Sequence, residues 1–133
     1  MWRGDATAML METMALRALI VDDNGHFLAA ARDLLQREGV DVIAVASTGA
    51  EAVRLADELG PDVTLVDIDL GDESGFDVAR ALTQERAGNQ CPVVLISTYA
   101  EKDFADLIAT SPAVGFVSKS DLSARTLHEV LDR

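Results

Sequence analysis

Five short apolar runs, each followed by a segment of helical periodicity, restrict the fold of this chain more than any other feature. The runs are ALRALIV (15–21), VDVIAVAS (40–47), DVTLVD (62–67), PVVLIS (92–97) and VGFV (114–117). Runs of this length between turn-forming residues read as buried strands. HFLAAARDLLQRE (26–38) then places Phe27, Ala30, Ala31, Leu34 and Leu35 on one helical face, with Gly39 as a natural stop. TGAEAVRLADELG opens with Thr48 and Glu51 in capping-box spacing and closes at Gly60-Pro61. GFDVARALTQE (75–85), EKDFADLIAT (101–110) and SDLSARTLHEVLD (120–132) supply three more helices. Strands alternating with helices of this length imply right-handed βαβ units around a parallel sheet, an α/β doubly wound fold.

Composition narrows the function classes. The chain has 133 residues, enough for one domain with a substantial core. Eleven basic against 23 acidic residues give a net charge of −12, which argues against direct nucleic-acid binding through a broad basic surface. No apolar stretch is long enough to span a membrane, and the lead MWRGDATAMLMETM lacks the apolar core of a secretory signal. Residues 1–14 are expected to form a disordered extension and residues 15–133 a single domain. The lone Cys91, before Pro92, reads as a small core residue.

In doubly wound sheets, ligands gather beyond the carboxyl ends of the strands. There this sequence places Asp22, Asp23 and Asn24 after the first strand, and Asp67, Ile68 and Asp69 after the third. Ser97-Thr98-Tyr99 follows the fourth strand and Lys119 the fifth. Three carboxylates crowded at one edge repel one another by roughly 3–4 kcal/mol per pair at an effective dielectric near 20. A hard divalent cation with oxygen ligands, such as Mg²⁺, relieves that repulsion. A neutralised carboxylate can accept a phosphoryl group, whose charge then calls for a metal, a cation such as Lys119 and a donor such as Ser97.

The pieces LIVDDN, LVDIDLGDESG, VVLIST and GFVSKS, in that order and spacing, resemble the receiver domain of two-component response regulators over roughly residues 16–132. The resemblance implies a flavodoxin-like (βα)5 sheet in strand order 2-1-3-4-5. It implies Asp67 as phosphoacceptor, Asp23 as direct Mg²⁺ ligand, Asp22 acting through water, and the Asp69 backbone carbonyl as a further ligand. Ser97 matches the hydroxyl that turns toward the phosphoryl group, Lys119 its cationic partner, and Phe116 the aromatic that rotates on activation. Gly71 and Ser120 stand where the family often has proline.

The implied partners are a sensor histidine kinase and a downstream protein or relay partner, with a phosphorylation-linked homodimer among the outcomes. The implied location is cytoplasmic, without membrane attachment. The chain is expected to be a switch rather than an enzyme, its chemistry limited to accepting and losing its own phosphoryl group. It is expected either to stand alone or to belong to a longer regulator. Two other readings stay open. One is a haloacid-dehalogenase-like phosphohydrolase, from Asp67-Ile68-Asp69; the other is a receiver-like interaction module indifferent to phosphate. Residue by residue, Asp22-Asp23 also suits helix capping, Asp69 a solvated loop, Ser97 a strand-end turn, Lys119 a surface lysine and Phe116 plain core. Tyr99, two residues past Ser97, is expected to hinder a hydrolytic water.

Overall fold

The computed structural model describes residues 15–84 and 91–132. The expected extension at 1–14, and Glu85 at the end of the third expected helix, lie outside them. Strands β1 (Arg17–Val21), β2 (Asp41–Ala46), β3 (Val63–Asp67), β4 (Val93–Ser97) and β5 (Gly115–Ser118) form one sheet in the order β2-β1-β3-β4-β5. Every pairing in it is parallel. Helices α1 (Gly25–Arg37), α2 (Gly49–Leu59), α3 (Gly75–Gln84), α4 (Ala105–Thr110) and α5 (Ala124–Leu131) connect and close it.

Side chains alternate across a strand, so one apolar run feeds two cores. From β1, Ala18 and Ile20 join Leu65, Ile96 and Val117 beneath Leu28, Leu35 and Leu127 of α1 and α5. Leu19 and Val21 face the other way, with Val66 and Leu95, under Ala52, Val78 and Leu82 of α2 and α3. β3 and β4 are buried along their whole lengths. Their carboxyl ends are therefore the first points at which the central chain meets polar surroundings.

The structure departs locally from the sequence reading. On α1 the buried residues are Leu28, Ala31 and Leu35, while Ala30 is exposed and Phe27 half-buried. Small alanines carry too little apolar signal to fix the helix phase. The segment 101–110 is not one helix but a 3₁₀ turn, Glu101–Phe104, followed by α4. The expected last helix likewise splits into a 3₁₀ turn at Lys119–Asp121 and α5, because Ser123 and Thr126 form the capping box that starts α5. At α2, Thr48 Oγ1 accepts from Glu51 N at 3.2 Å, but Glu51 Oε1 takes Ser47 N at 2.9 Å, one residue before the cap. Asn24 caps α1, accepting from His26 N and Phe27 N.

Candidate functional site

The carboxyl edge of the sheet brings Asp22, Asp67 and Lys119 together. Asp22 follows β1 and is fully buried; Asp67 ends β3 and is 6% exposed. Asp67 pairs with Ile96 in β4, so Ser97 extends one residue beyond it and pairs in turn with Ser118, the residue before Lys119. Lys119 reaches back over the edge, its Nζ 2.7 Å from Asp22 Oδ2 and 2.7 Å from Asp67 Oδ2. The Asp22 contact is an ion pair without aligned hydrogen-bond geometry, which leaves that buried oxygen short of a donor. The other Asp67 oxygen, Oδ1, accepts from Asp69 N at 2.9 Å. Asp22 Oδ1 similarly accepts from Asn24 N at 2.9 Å.

Burial pushes the Asp67 carboxyl above its ordinary 3.8; the Asp22 charge adds to this, and Lys119 and the Asp69 N–H oppose it. Burial alone would lower Lys119, yet the two carboxylates beside its Nζ together hold it above its ordinary 10.5. Both partners of one ion pair are thus raised. For Asp67 desolvation outweighs its single cation, and for Lys119 two anions outweigh desolvation.

The loop after Asp67 is built by close approach. A Cβ on Gly75 would lie 2.0 Å from the Asp67 carbonyl oxygen and 2.7 Å from Ile68 Cα, so only glycine lets α3 start against this backbone. Gly75 N donates to Ile68 O at 2.7 Å. Between them, Asp69–Leu70 and Glu73–Ser74 form a short antiparallel pair turning at Gly71, whose φ is +75°. Glu73 Oε1 accepts from Gly49 N at 2.8 Å, at the start of α2. Sequence reasoning passed over Gly75 and Glu73, the latter as one more acid in a loop.

The model of the response regulator receiver domain family matches residues 18–132. The chain belongs to that family. As a receiver domain it is 32% identical over 106 residues to the polar-differentiation response regulator DivK of Brucella ovis, covering 80% of this chain and 85% of DivK. It is 27% identical to the DNA-binding transcriptional activator EvgA of Escherichia coli, over 80% of this chain and 51% of EvgA. The chain therefore spans about half of that relative's length. Among solved structures, the signal receiver domain of a modulated diguanylate cyclase from Desulfovibrio desulfuricans G20 superposes with a TM-score of 0.72 at 33% identity, over 89% of this chain and 91% of that one. Receiver domains in general are signalling switches phosphorylated on Asp, bind Mg²⁺, and interact with histidine kinases and downstream effectors.

The donors of this receiver suit such an ion. The edge offers oxygen only, and the buried Asp22 Oδ2 lacks an aligned donor. Asp23 is exposed beside it, its carboxylate against Gly71, where a Cβ would come within 3.0 Å of Oδ2. Among the described residues, no three acidic, histidine or cysteine side chains converge into a metal cage. Asp69 is exposed, and its Oδ1 accepts from Gly71 N at 3.0 Å, so its side chain is committed to the turn.

The remaining sequence candidates are placed as follows. Ser97 is buried and its Oγ accepts from Tyr99 N at 2.9 Å. Phe116 is buried in the core beneath α2–α4 and lines a cavity of about 420 Å³ with Ala100, Glu101, Thr126 and Val130. Tyr99 is 54% exposed and meets Phe104 edge-on at 5.8 Å. Cys91 is buried, and His26 and His128 are exposed. No helix among the described residues is long and apolar enough to cross a membrane.

Proposed function

We propose that this receiver is a phosphorylation-dependent switch that accepts a phosphoryl group from a sensor histidine kinase onto Asp67. The observation that carries the reading is the Lys119 ammonium held between Asp22 and Asp67, both buried, at the carboxyl edge of a parallel sheet. An oxygen of Asp67 attacks phosphorus, the phosphorus–nitrogen bond of the kinase's phosphohistidine breaks, and the imidazole keeps the electron pair and takes a proton. Lys119 neutralises charge on the transferred oxygens, and the Asp69 N–H fixes the carboxylate rotamer. Bound Mg²⁺, held by Asp23, Asp67 and the Asp69 carbonyl with Asp22 through water, would supply further charge neutralisation.

The product adds about −1.5 to −2 of charge at Asp67. Ser97 Oγ then leaves Tyr99 N to donate to a phosphoryl oxygen, and Phe116 repacks. The cavity beside Phe116 supports this, since it gives the ring room to move. α4 suits the movable part, having no fully buried residue. The altered surface of α4, β5 and α5 is where a downstream protein, a relay partner or a second copy docks. The chain works in the cytoplasm.

The test is incubation with acetyl phosphate and Mg²⁺, read by intact mass. The wild type gains one phosphoryl group, and removing Mg²⁺ or making Asp67→Ala abolishes the gain. A folded wild type that gains none and also fails to bind beryllofluoride would refute the reading. Turnover of a phosphomonoester would point to a phosphohydrolase instead.

A further inference from the structure

Lys119 has three N–H donors, and its Nζ lies 2.7 Å from a carboxylate oxygen of each of Asp22 and Asp67. Its remaining side is not given to water. The ammonium lies over the ring of Phe27, 4.2 Å from the centroid, and only 12% of the lysine side chain is exposed. We propose that Phe27 is a positioning residue for phosphoryl transfer, acting through Lys119; this rests on the reading of Asp67 as phosphoacceptor.

The ring is anchored by the same turn that carries the acidic pair. Asp22 Oδ1 accepts from Asn24 N, and Asn24 Oδ1 accepts from Phe27 N at 3.1 Å. Phe27 is half-buried and packs against the core shared by α1 and α5. One turn thus sets both Asp22 and the ring, and Asp67 completes the grip from β3. A lysine on a four-carbon stem has many rotamers, and each contact that orients it spares part of that loss when the phosphoryl group arrives. An aromatic face does this without adding a competing acceptor, because its quadrupole attracts the cation while its edge keeps water away. A leucine would fill similar space and exclude water, but it has no quadrupole to attract the cation.

The chain has two lysines, Lys102 and Lys119, so selective labelling of lysine resolves both, with exposed Lys102 as internal reference. In the wild type the ε-methylene protons of Lys119 resonate upfield of those of Lys102 through the ring current of Phe27. Phe27→Leu removes that shift and slows phosphorylation by acetyl phosphate with Mg²⁺ by about 5-fold. Phe27→Tyr keeps the shift and restores the rate to near wild type. In that reaction the bond from an Asp67 oxygen to phosphorus forms as the phosphorus–oxygen bond of the donor breaks, releasing acetate. A wild-type rate in Phe27→Leu, or a Phe27→Tyr as slow as Phe27→Leu, would overturn the proposal. A wild type that takes up no phosphoryl group at all would instead bring down the phosphoacceptor reading, and the positioning role with it.

Discussion

The Nζ of Lys119 stands 2.7 Å from Oδ2 of Asp67 and at the same distance from Oδ2 of Asp22, so one ammonium is shared by two buried carboxylates. Removing it leaves two anions facing each other where solvent screens them poorly. Lys119→Met is expected to destabilise the fold by about 2–3 kcal/mol in chelator, somewhat below the cost in a fully enclosed interior. At the proposed metal site Mg²⁺ would share these carboxylates with the ammonium, so Mg²⁺ should stabilise Lys119→Met more than wild type. Urea midpoints with and without Mg²⁺ check this; equal Mg²⁺ gains in the two proteins would contradict it.

The raised pKa of Asp67 has a definite sign in stability. Between the ordinary carboxylate value of 3.8 and the raised value, the native state holds a proton that the unfolded chain has lost. The stability from this group is therefore fully present below 3.8 and is lost as pH rises through the native value. Lys119 is charged in both states over this range and adds no slope. Asp67→Asn, which never ionises, should therefore gain on wild type as pH rises from about 4 toward 7 in chelator. Denaturant melts across that window would show a constant difference if the burial of Asp67 were inconsequential.

Much of this site was legible because a strand buried on both faces keeps charged residues only at its ends. VVLIS is apolar up to Ser97 and VTLVD carries only Thr64 before Asp67, and that placed both side chains at the carboxyl edge. Lys119 followed from the same logic at β5. What the sequence concealed depends on contacts between distant segments. Phe27 on a helix reads as ordinary core, and nothing near it announces a lysine from the edge strand of the sheet. Glu73 lies in an acidic run and reads as solvated, yet its acceptor role is fixed by Gly49 on another helix. Leu28 in place of Ala30 on the buried face was missed because the alanine-rich stretch leaves the helical phase nearly undetermined.

Gly75 is fixed by contact rather than by φ. An added methyl would lie 2.0 Å from the Asp67 carbonyl oxygen, a rigid backbone atom that cannot rotate away. Gly75→Ala must therefore shift the start of α3 or the end of β3, costing about 3 kcal/mol and slowing phosphorylation. Gly25 is the matched control, since a Cβ there meets nothing within 4 Å. Gly25→Ala should change stability by no more than about 0.5 kcal/mol. Comparable losses in the two variants, by thermal melt, would exclude the steric account.

Glu73 ties the loop that follows Asp67 to α2. Its Oε1 takes the N–H of Gly49 in the first turn of that helix, where no intrahelical partner exists and where the helix dipole favours a negative charge. Glu73→Ala leaves that donor to water and should cost about 1 kcal/mol. Glu73→Gln keeps an acceptor but loses the charge, so it should cost less. The same contact pins the Asp69–Ser74 pair, whose turn depends on Gly71 N donating to Asp69 Oδ1. Releasing the tether should speed amide exchange at Gly71 and Asp69, the latter being the donor that orients Asp67. Exchange confined to α2, with Asp69 and Gly71 as protected as in wild type, would mean that Glu73 only caps the helix. Faster exchange at both would make it the link through which a change at Asp67 is felt at α2.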